Sequence, residues 1–189
     1  MLIMDYLFQF ACVQPGVLLK DRVHIHVGIC VADKRILSCC VKTLHTEIEI
    51  DAPAELTWKV LTDFSEYAEW NPFLRKISGT FSEGCYITVH AILDGREVVF
   101  QPGIAGIDDG KGFSWIHNRF LPGLADCEHV FRVTPINQYR SLFVLKDECR
   151  GLLVFLIWSR LKKKLKPAFK EMNEALKARV ESMVEHGLE

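Results

Sequence analysis

Residues 53 to 73, PAELTWKVLTDFSEYAEWNPF, constrain the fold more than any other stretch, because they pack two short helices between strand-like segments. Asp51-Ala52-Pro53 is a helix start: a capping residue type, then Pro in the first turn, with Glu55 near the positive end of the helix dipole. Leu56, Val60, Leu61 and Phe64 fall on one helical face, and Ser65 to Trp70 predicts a second short helix that Pro72 stops. His45 to Ile50 alternates in front of this pair and predicts the first strand. A chain that enters by a strand, turns through two helices and continues in strands needs a sheet with one covered face.

The strands behind the helices predict an antiparallel meander. They are Leu74 to Phe81, Cys85 to Leu93, Arg96 to Ile107, Gly112 to Phe120, Cys127 to Pro135 and Tyr139 to Cys149. Turn signals separate them at Ser82-Glu83-Gly84, Asp94-Gly95 and Asp108-Asp109-Gly110. Such a sheet has one wet and one covered face. The cover is a last helix, opened by Pro167 and running to His186, with Phe169, Met172, Leu176, Val180 and Met183 as its apolar stripe. Leu176 is expected to face the sheet and Lys177 the solvent. The fold class is therefore α+β.

Apolar residues at 49% and a formal net charge of −1 describe an ordinary folded chain with no field for nucleic acid. The longest apolar run, Gly151 to Trp158, falls short of the ~18 residues a membrane span needs. It abuts Arg160, Lys162, Lys163, Lys164 and Lys166, so segment 151–166 is either a lid with a solvated basic end or a place of transient contact with an anionic membrane. The seven cysteines lack metal-type spacing, and Cys85, Cys127 and Cys149 in strands are expected to be buried free thiols in a reducing cytoplasm. His24-x-His26 and Cys39-Cys40 are too sparse for a metal or redox site, and no phosphate-binding glycine loop or nucleophile motif is present. No metal and no cofactor are expected.

Several motifs, in order, carry a resemblance. They are Ile50-Asp51-Ala52-Pro53, Trp58 to Phe64, Trp70-Asn71-Pro72-Phe73, Glu128-His129-Val130-Phe131, Asp147 to Leu153, and Phe169 to Lys177. Over residues 41 to 182 the chain resembles the START-like (SRPBCC) superfamily, in particular its polyketide cyclase/dehydrase and lipid-transport branch. The resemblance implies a helix-grip fold, a curved antiparallel sheet wrapped around a long C-terminal helix with two short helices after the first strand. It also implies a cavity between sheet and helix. The domain is expected at 41–187, with 1–40 an atypical extension: a mis-assigned start upstream of a natural start at Val41, a loose appendage, or a real extension that adds a strand to a sheet edge. The last two residues, Leu188-Glu189, read as a vector remnant.

Strand parity then nominates cavity residues. Phe113, Trp115 and His117 share one face; so do His129, Phe131 and Val133; so do Phe143, Leu145 and Asp147. The more apolar sets are placed inward, and the family's Glu-His-x-Phe pattern implies the same for His129 and Phe131. With Trp70 at the mouth and Phe169 and Met172 from the last helix, they form an apolar chamber carrying a few polar groups. The expected function is binding or transport of a hydrophobic small molecule, a lipid, isoprenoid or polyketide-like compound, by a monomer or weak dimer. The alternatives are a cyclase/dehydratase using His129 and Asp147 as acid and base, and a co-chaperone-like protein-binding module.

Overall fold

The computed structural model describes residues 41–118, 124–151 and 153–187. The extension 1–40, with His24, His26, Cys39 and Cys40, and the terminal pair 188–189 lie outside the described residues. β1 (Lys42–Ile50) leads into α1 (Ala54–Thr62), a 3-10 turn at Phe64–Glu66 and α2 (Tyr67–Trp70). β2 (Leu74–Gly79), β3 (Ile87–Leu93), β4 (Arg96–Phe100), β5 (Gly103–Asp108), β6 (Gly112–Asn118), β7 (Asp126–Asn137) and β8 (Arg140–Arg150) follow, and α3 (Val154–Glu185) closes the chain. This is the α+β helix-grip architecture.

All described strand pairs are antiparallel. Five strands run in the order β1-β8-β7-β6-β5 and three in the order β2-β3-β4. The first strand thus pairs with the last, so the meander closes on its own beginning. One correction concerns the middle of the chain. Arg96 to Ile107 is not one strand: Gln101-Pro102 divides it into β4 and β5, because Pro102 has no N–H to donate to a ladder. The division moves the chain from one sheet to the other. The Tyr86–Gly103 bridge and the bonds from Ile104 N to Cys85 O (2.9 Å) and Ile87 N to Pro102 O (3.1 Å) stitch the sheets together. The β3–β4 turn is the Asp94-Gly95 hairpin, both residues with positive φ (56° and 72°), the left-handed pairing a two-residue hairpin uses.

The larger correction concerns α3. Pro167 does not open it; the helix starts at Val154 and spans 32 residues, about 48 Å at 1.5 Å per residue. Pro167 removes one intrahelical bond, to the carbonyl of Lys163. Both residues sit on the exposed side, where water can serve that carbonyl. Leu161, Leu165, Ala168, Phe169, Met172, Leu176 and Val180 are buried on both sides of the proline, so packing carries the helix through it. The segment 151–166 is therefore mostly helix rather than a separate lid.

Local bonds fix α1 and α2 to this frame. Thr57 and Ser141 share a buried hydroxyl–hydroxyl bond of 2.9 Å, tying α1 to β8. The Tyr67 hydroxyl donates to Leu61 O at 2.6 Å, and burial first, then the nearby Asp63 charge, pushes that phenol far above its usual range. Asn71 Oδ1 accepts from Phe73 N (3.0 Å) and Leu74 N (2.9 Å), which turns the chain from α2 into β2.

Candidate functional site

The inner face of the five-stranded sheet is read directly from its register. Phe113 lies opposite Phe131, and Phe131 opposite Leu145. One step along, Trp115 lies opposite His129, and His129 opposite Asp147. One step further, His117 lies opposite Cys127, and Cys127 opposite Cys149. Phe143 pairs with Val133. Phe113, Trp115, Phe131, Phe143, Leu145 and Asp147 are all buried, as are Phe169 and Met172 of α3. His117 and His129 are partly buried.

These side chains form a continuous aromatic assembly. Phe113 stacks on Phe131 at 4.5 Å, Trp115 meets Phe131 at 4.7 Å, and His129 lies between Trp115 (6.1 Å) and Phe169 (6.3 Å). Phe169 continues to Phe73 at 5.7 Å. In the other direction Phe113 meets Phe64 (6.0 Å), Phe64 meets Tyr67 (5.3 Å), and Tyr67 meets Trp70 (5.0 Å). Trp70 thus joins the others through two intermediaries. His117 sits apart, against Phe100 at 5.0 Å. Gly112 has a role here: a Cβ on it would lie 2.5 Å from Phe131 O, so the close approach of β6 to β7 beside Phe113 requires glycine.

Polar side chains meet on the Trp115–His129–Asp147 rung of this face. His129 Nδ1 lies 3.6 Å from Asp147 Oδ1, with the side chains 12% and 1% exposed. That separation makes an ion pair possible and is too long for a hydrogen bond. Two further polar atoms matter in the interior, one on Trp115, which the sequence nominates, and one on Asn173, which it does not. Trp115 Nε1 and Asn173 Oδ1 are buried and find no hydrogen-bond partner among the described residues. Asn173 was missed because the apolar stripe of α3 was read for hydrophobic residues, and an amide within it is the signal that could have found it.

The cysteines overturn an expectation. Cys127 and Cys149 are not free thiols; they are joined by a disulfide with Cα atoms 4.1 Å apart. Twenty-two residues separate them in sequence, but the β7–β8 register places them directly opposite. Cys85 is a free cysteine. The cysteines lack metal-type spacing along the chain, but in space the ligand atoms of Cys127, Asp147 and Cys149 all lie within 4.8 Å of one another.

Outside the interior, α3 carries a basic and partly apolar surface. Phe155 and Leu156 are 69% and 70% exposed in its first turn. A recess of about 540 Å³ lies between Phe73, the Asp94-Gly95 turn and Arg160, Lys163 and Lys164 of α3. Lys164 reaches Asp94 at 3.4 Å across it. Among the described residues, no helix is long and apolar enough to cross a membrane.

Residues 42–181 match the family described as polyketide cyclase / dehydrase and lipid transport. No match was found among curated protein sequences. Among solved structures, the chain is similar to the Zhui aromatase/cyclase from Streptomyces sp. R1128, with 16% identity, 77% of this chain and 96% of that one covered, and a TM-score of 0.64. It is also similar to a START superfamily protein from Mycobacterium smegmatis, with 18% identity, coverage of 75% and 98%, and a TM-score of 0.60. A third is norcoclaurine synthase from Thalictrum flavum in complex with dopamine and hydroxybenzaldehyde, with 15% identity, coverage of 89% and 98%, and a TM-score of 0.59. At these identities the structures speak for the fold alone. The family match spans most of the chain, and the protein belongs to the polyketide cyclase/dehydrase and lipid-transport family of the START-like superfamily.

Proposed function

We propose that this protein binds and carries a hydrophobic small molecule with a polar end, a lipid, isoprenoid or polyketide-like compound, between the inner sheet face and α3. The observation that carries the reading is that Trp115 Nε1 and Asn173 Oδ1, like Trp70 Nε1 and Asn71 Nδ2, are buried without a hydrogen-bond partner among the described residues, in an interior that is mainly aromatic and aliphatic. Each such group costs about 1–3 kcal/mol when nothing satisfies it. A ligand offering an acceptor to the indole and a donor to the amide recovers that cost. Its apolar body contributes about 25 cal/mol per Å² on leaving water, before the entropy of binding is counted. His129 and Asp147 orient the same polar end.

Titration with N-phenylnaphthylamine, an apolar fluorescent probe, tests the reading. The expected result is micromolar binding, with loss of tryptophan emission by energy transfer from the interior. Competition separates the parts: His129→Ala and Asn173→Leu should weaken a long-chain alcohol or fatty acid more than a hydrocarbon of equal length. Equal weakening for both would remove the polar anchors from the account.

The acid–base reading rests on the 3.6 Å approach of His129 to Asp147. Under it, the protein is a cyclase or dehydratase acting on a polyketide-like substrate, with the imidazole moving the proton and the carboxylate holding its charge. Turnover of a poly-β-carbonyl substrate that disappears in His129→Ala would select this reading over simple carriage.

Ligand exchange is proposed to occur at an anionic membrane surface. Exposed Phe155 and Leu156 would enter the interface while Arg160, Lys162, Lys163 and Lys166 meet the headgroups. The proposed setting is the cytoplasm, where a bridge such as Cys127–Cys149 is usually reducible and transient rather than permanent.

A further inference from the structure

Four side chains with metal-ligand chemistry occupy two adjacent rungs of the β7–β8 ladder. Cys127 faces Cys149 on one rung, and His129 faces Asp147 on the next. All four lie on the inner face, at i and i+2 on each strand, so they form the corners of one small quadrilateral. We propose that reduction of the Cys127–Cys149 bridge converts this quadrilateral into a tetrahedral zinc-type site, with two thiolates, the Asp147 carboxylate and the His129 imidazole as ligands.

Three of the four ligands are already grouped, and His129 joins them from beside Asp147. His129 Nδ1 and Asp147 Oδ1 are 3.6 Å apart, beyond hydrogen-bond length. Two ligands with metal bonds of about 2.1 Å stand about 3.4 Å apart along the edge of a tetrahedron. The ligand atoms of Cys127, Asp147 and Cys149 already lie within 4.8 Å of one another. Once the sulfur–sulfur bond is cut, the thiolates need only separate to about 3.8 Å, the edge set by zinc–sulfur bonds of about 2.3 Å. Side-chain rotation across a 4.1 Å Cα separation supplies that movement.

The chemistry selects the ion. Two soft thiolates with an imidazole and a carboxylate, tetrahedral and largely buried, suit Zn²⁺ and exclude the hard all-oxygen environment of Mg²⁺ or Ca²⁺. Three anionic ligands and one neutral imidazole carry the charge count of a Cys₃His zinc site.

The exchange balances. A dithiol gives two electrons and two protons to the disulfide and becomes a disulfide itself; a phosphine gives two electrons and becomes the phosphine oxide, with water supplying the oxygen and both protons. The two protein sulfurs become thiols, and Zn²⁺ then displaces one proton from each. A small-molecule disulfide reverses the sequence by thiol–disulfide exchange: it takes up the two electrons and leaves as two thiols, the protein sulfurs rejoin, and the ion leaves. The inference concerns metal and redox state, and it stands whichever organic ligand the interior takes.

The test uses the full chain with Cys12, Cys30, Cys39, Cys40 and Cys85 replaced by serine, so that only the bridge cysteines remain. Co²⁺ is added before and after phosphine reduction. The expected result is one equivalent taken up after reduction only, with a thiolate-to-cobalt charge-transfer band and the intense visible bands of a tetrahedral ion, both removed by added Zn²⁺. Asp147→Asn and His129→Ala should each weaken uptake by at least about tenfold, the loss that even a ligand's supporting partner can cause. No uptake after reduction, uptake unchanged in both variants, or a bridge that stays closed while the fold is intact would each overturn the proposal. Should the substituted chains not fold, alkylation of the reduced natural chain decides: Zn²⁺ should protect Cys127 and Cys149 but not Cys85. Equal labelling of all three with and without zinc defeats the site.

Discussion

Phe131 lies at the centre of the aromatic assembly, against both Phe113 and Trp115. Phe131→Ala removes a fully buried ring and should cost about 3–5 kcal/mol, read from the shift of a denaturant midpoint at unchanged slope. A loss below about 1 kcal/mol would mean that the site collapses freely and that the assembly is not packed as described. On the opposite sheet face, Glu148 is held below its usual carboxylate range, first by its hydrogen bond from Lys146 and also by Arg150. A carboxyl depressed in the folded state stabilises above its unfolded value and loses that contribution as pH falls through the folded one. Glu148→Gln should therefore cost up to about 1 kcal/mol at neutral pH, and the difference from the natural chain should vanish in acid. At this scale parity made the inward sets legible, since Phe113, Phe131 and Leu145 alternate cleanly. The disulfide was not legible, because pairing Cys127 with Cys149 requires the β7–β8 register, and nothing in local spacing sets it. Asn173 was hidden for a related reason: a polar residue inside a helical stripe reads as a break in the pattern, not as a group aimed inward.

Among the elements, α3 departs furthest from expectation. Its C-terminal half was legible from the apolar stripe, but Pro167 reads as a boundary, and only burial of Val154, Leu161 and Leu165 against the sheets overrides that reading. The same packing makes Leu176, fully buried, a sensitive position. Leu176→Asp should lose at least about 3 kcal/mol, since it buries an unpaired carboxylate, and Glu174→Gln on the exposed side should melt with the natural chain. Two variants melting alike would contradict the assigned face. Lys177 is not the idle surface residue that its place beside the stripe suggests: it donates to Glu49 O at 2.9 Å and pairs with Glu181, so its loss loosens α3 from β1. The exposed Phe155 and Leu156 begin the same helix. Co-sedimentation with vesicles should require anionic lipid, weaken with salt, and fall further in the Phe155→Asp, Leu156→Asp double variant. Retention on neutral vesicles at high salt would contradict the electrostatic part.

At the scale of the whole molecule, the order strand, two short helices, strands, long helix was enough to anticipate the fold, because one curved sheet with one covered face leaves few places for the last helix. The split at Pro102 and the pairing of β1 with β8 are long-range outcomes that the local pattern leaves open. The described helix-grip unit begins at β1, and residues 1–40 are proposed to be dispensable for folding. A chain beginning at Val41 should show the same thermal midpoint as the full chain, and failure to fold would assign the extension to the domain. The central claim is that the interior between sheet and α3 holds a hydrophobic small molecule. Native mass spectrometry of freshly purified full-length protein, followed by solvent extraction, tests it most directly. The account predicts a second, heavier species carrying one apolar molecule, which His129→Ala and Asn173→Leu deplete and extraction releases. A single bare mass that stays unchanged after incubation with long-chain lipids would contradict it.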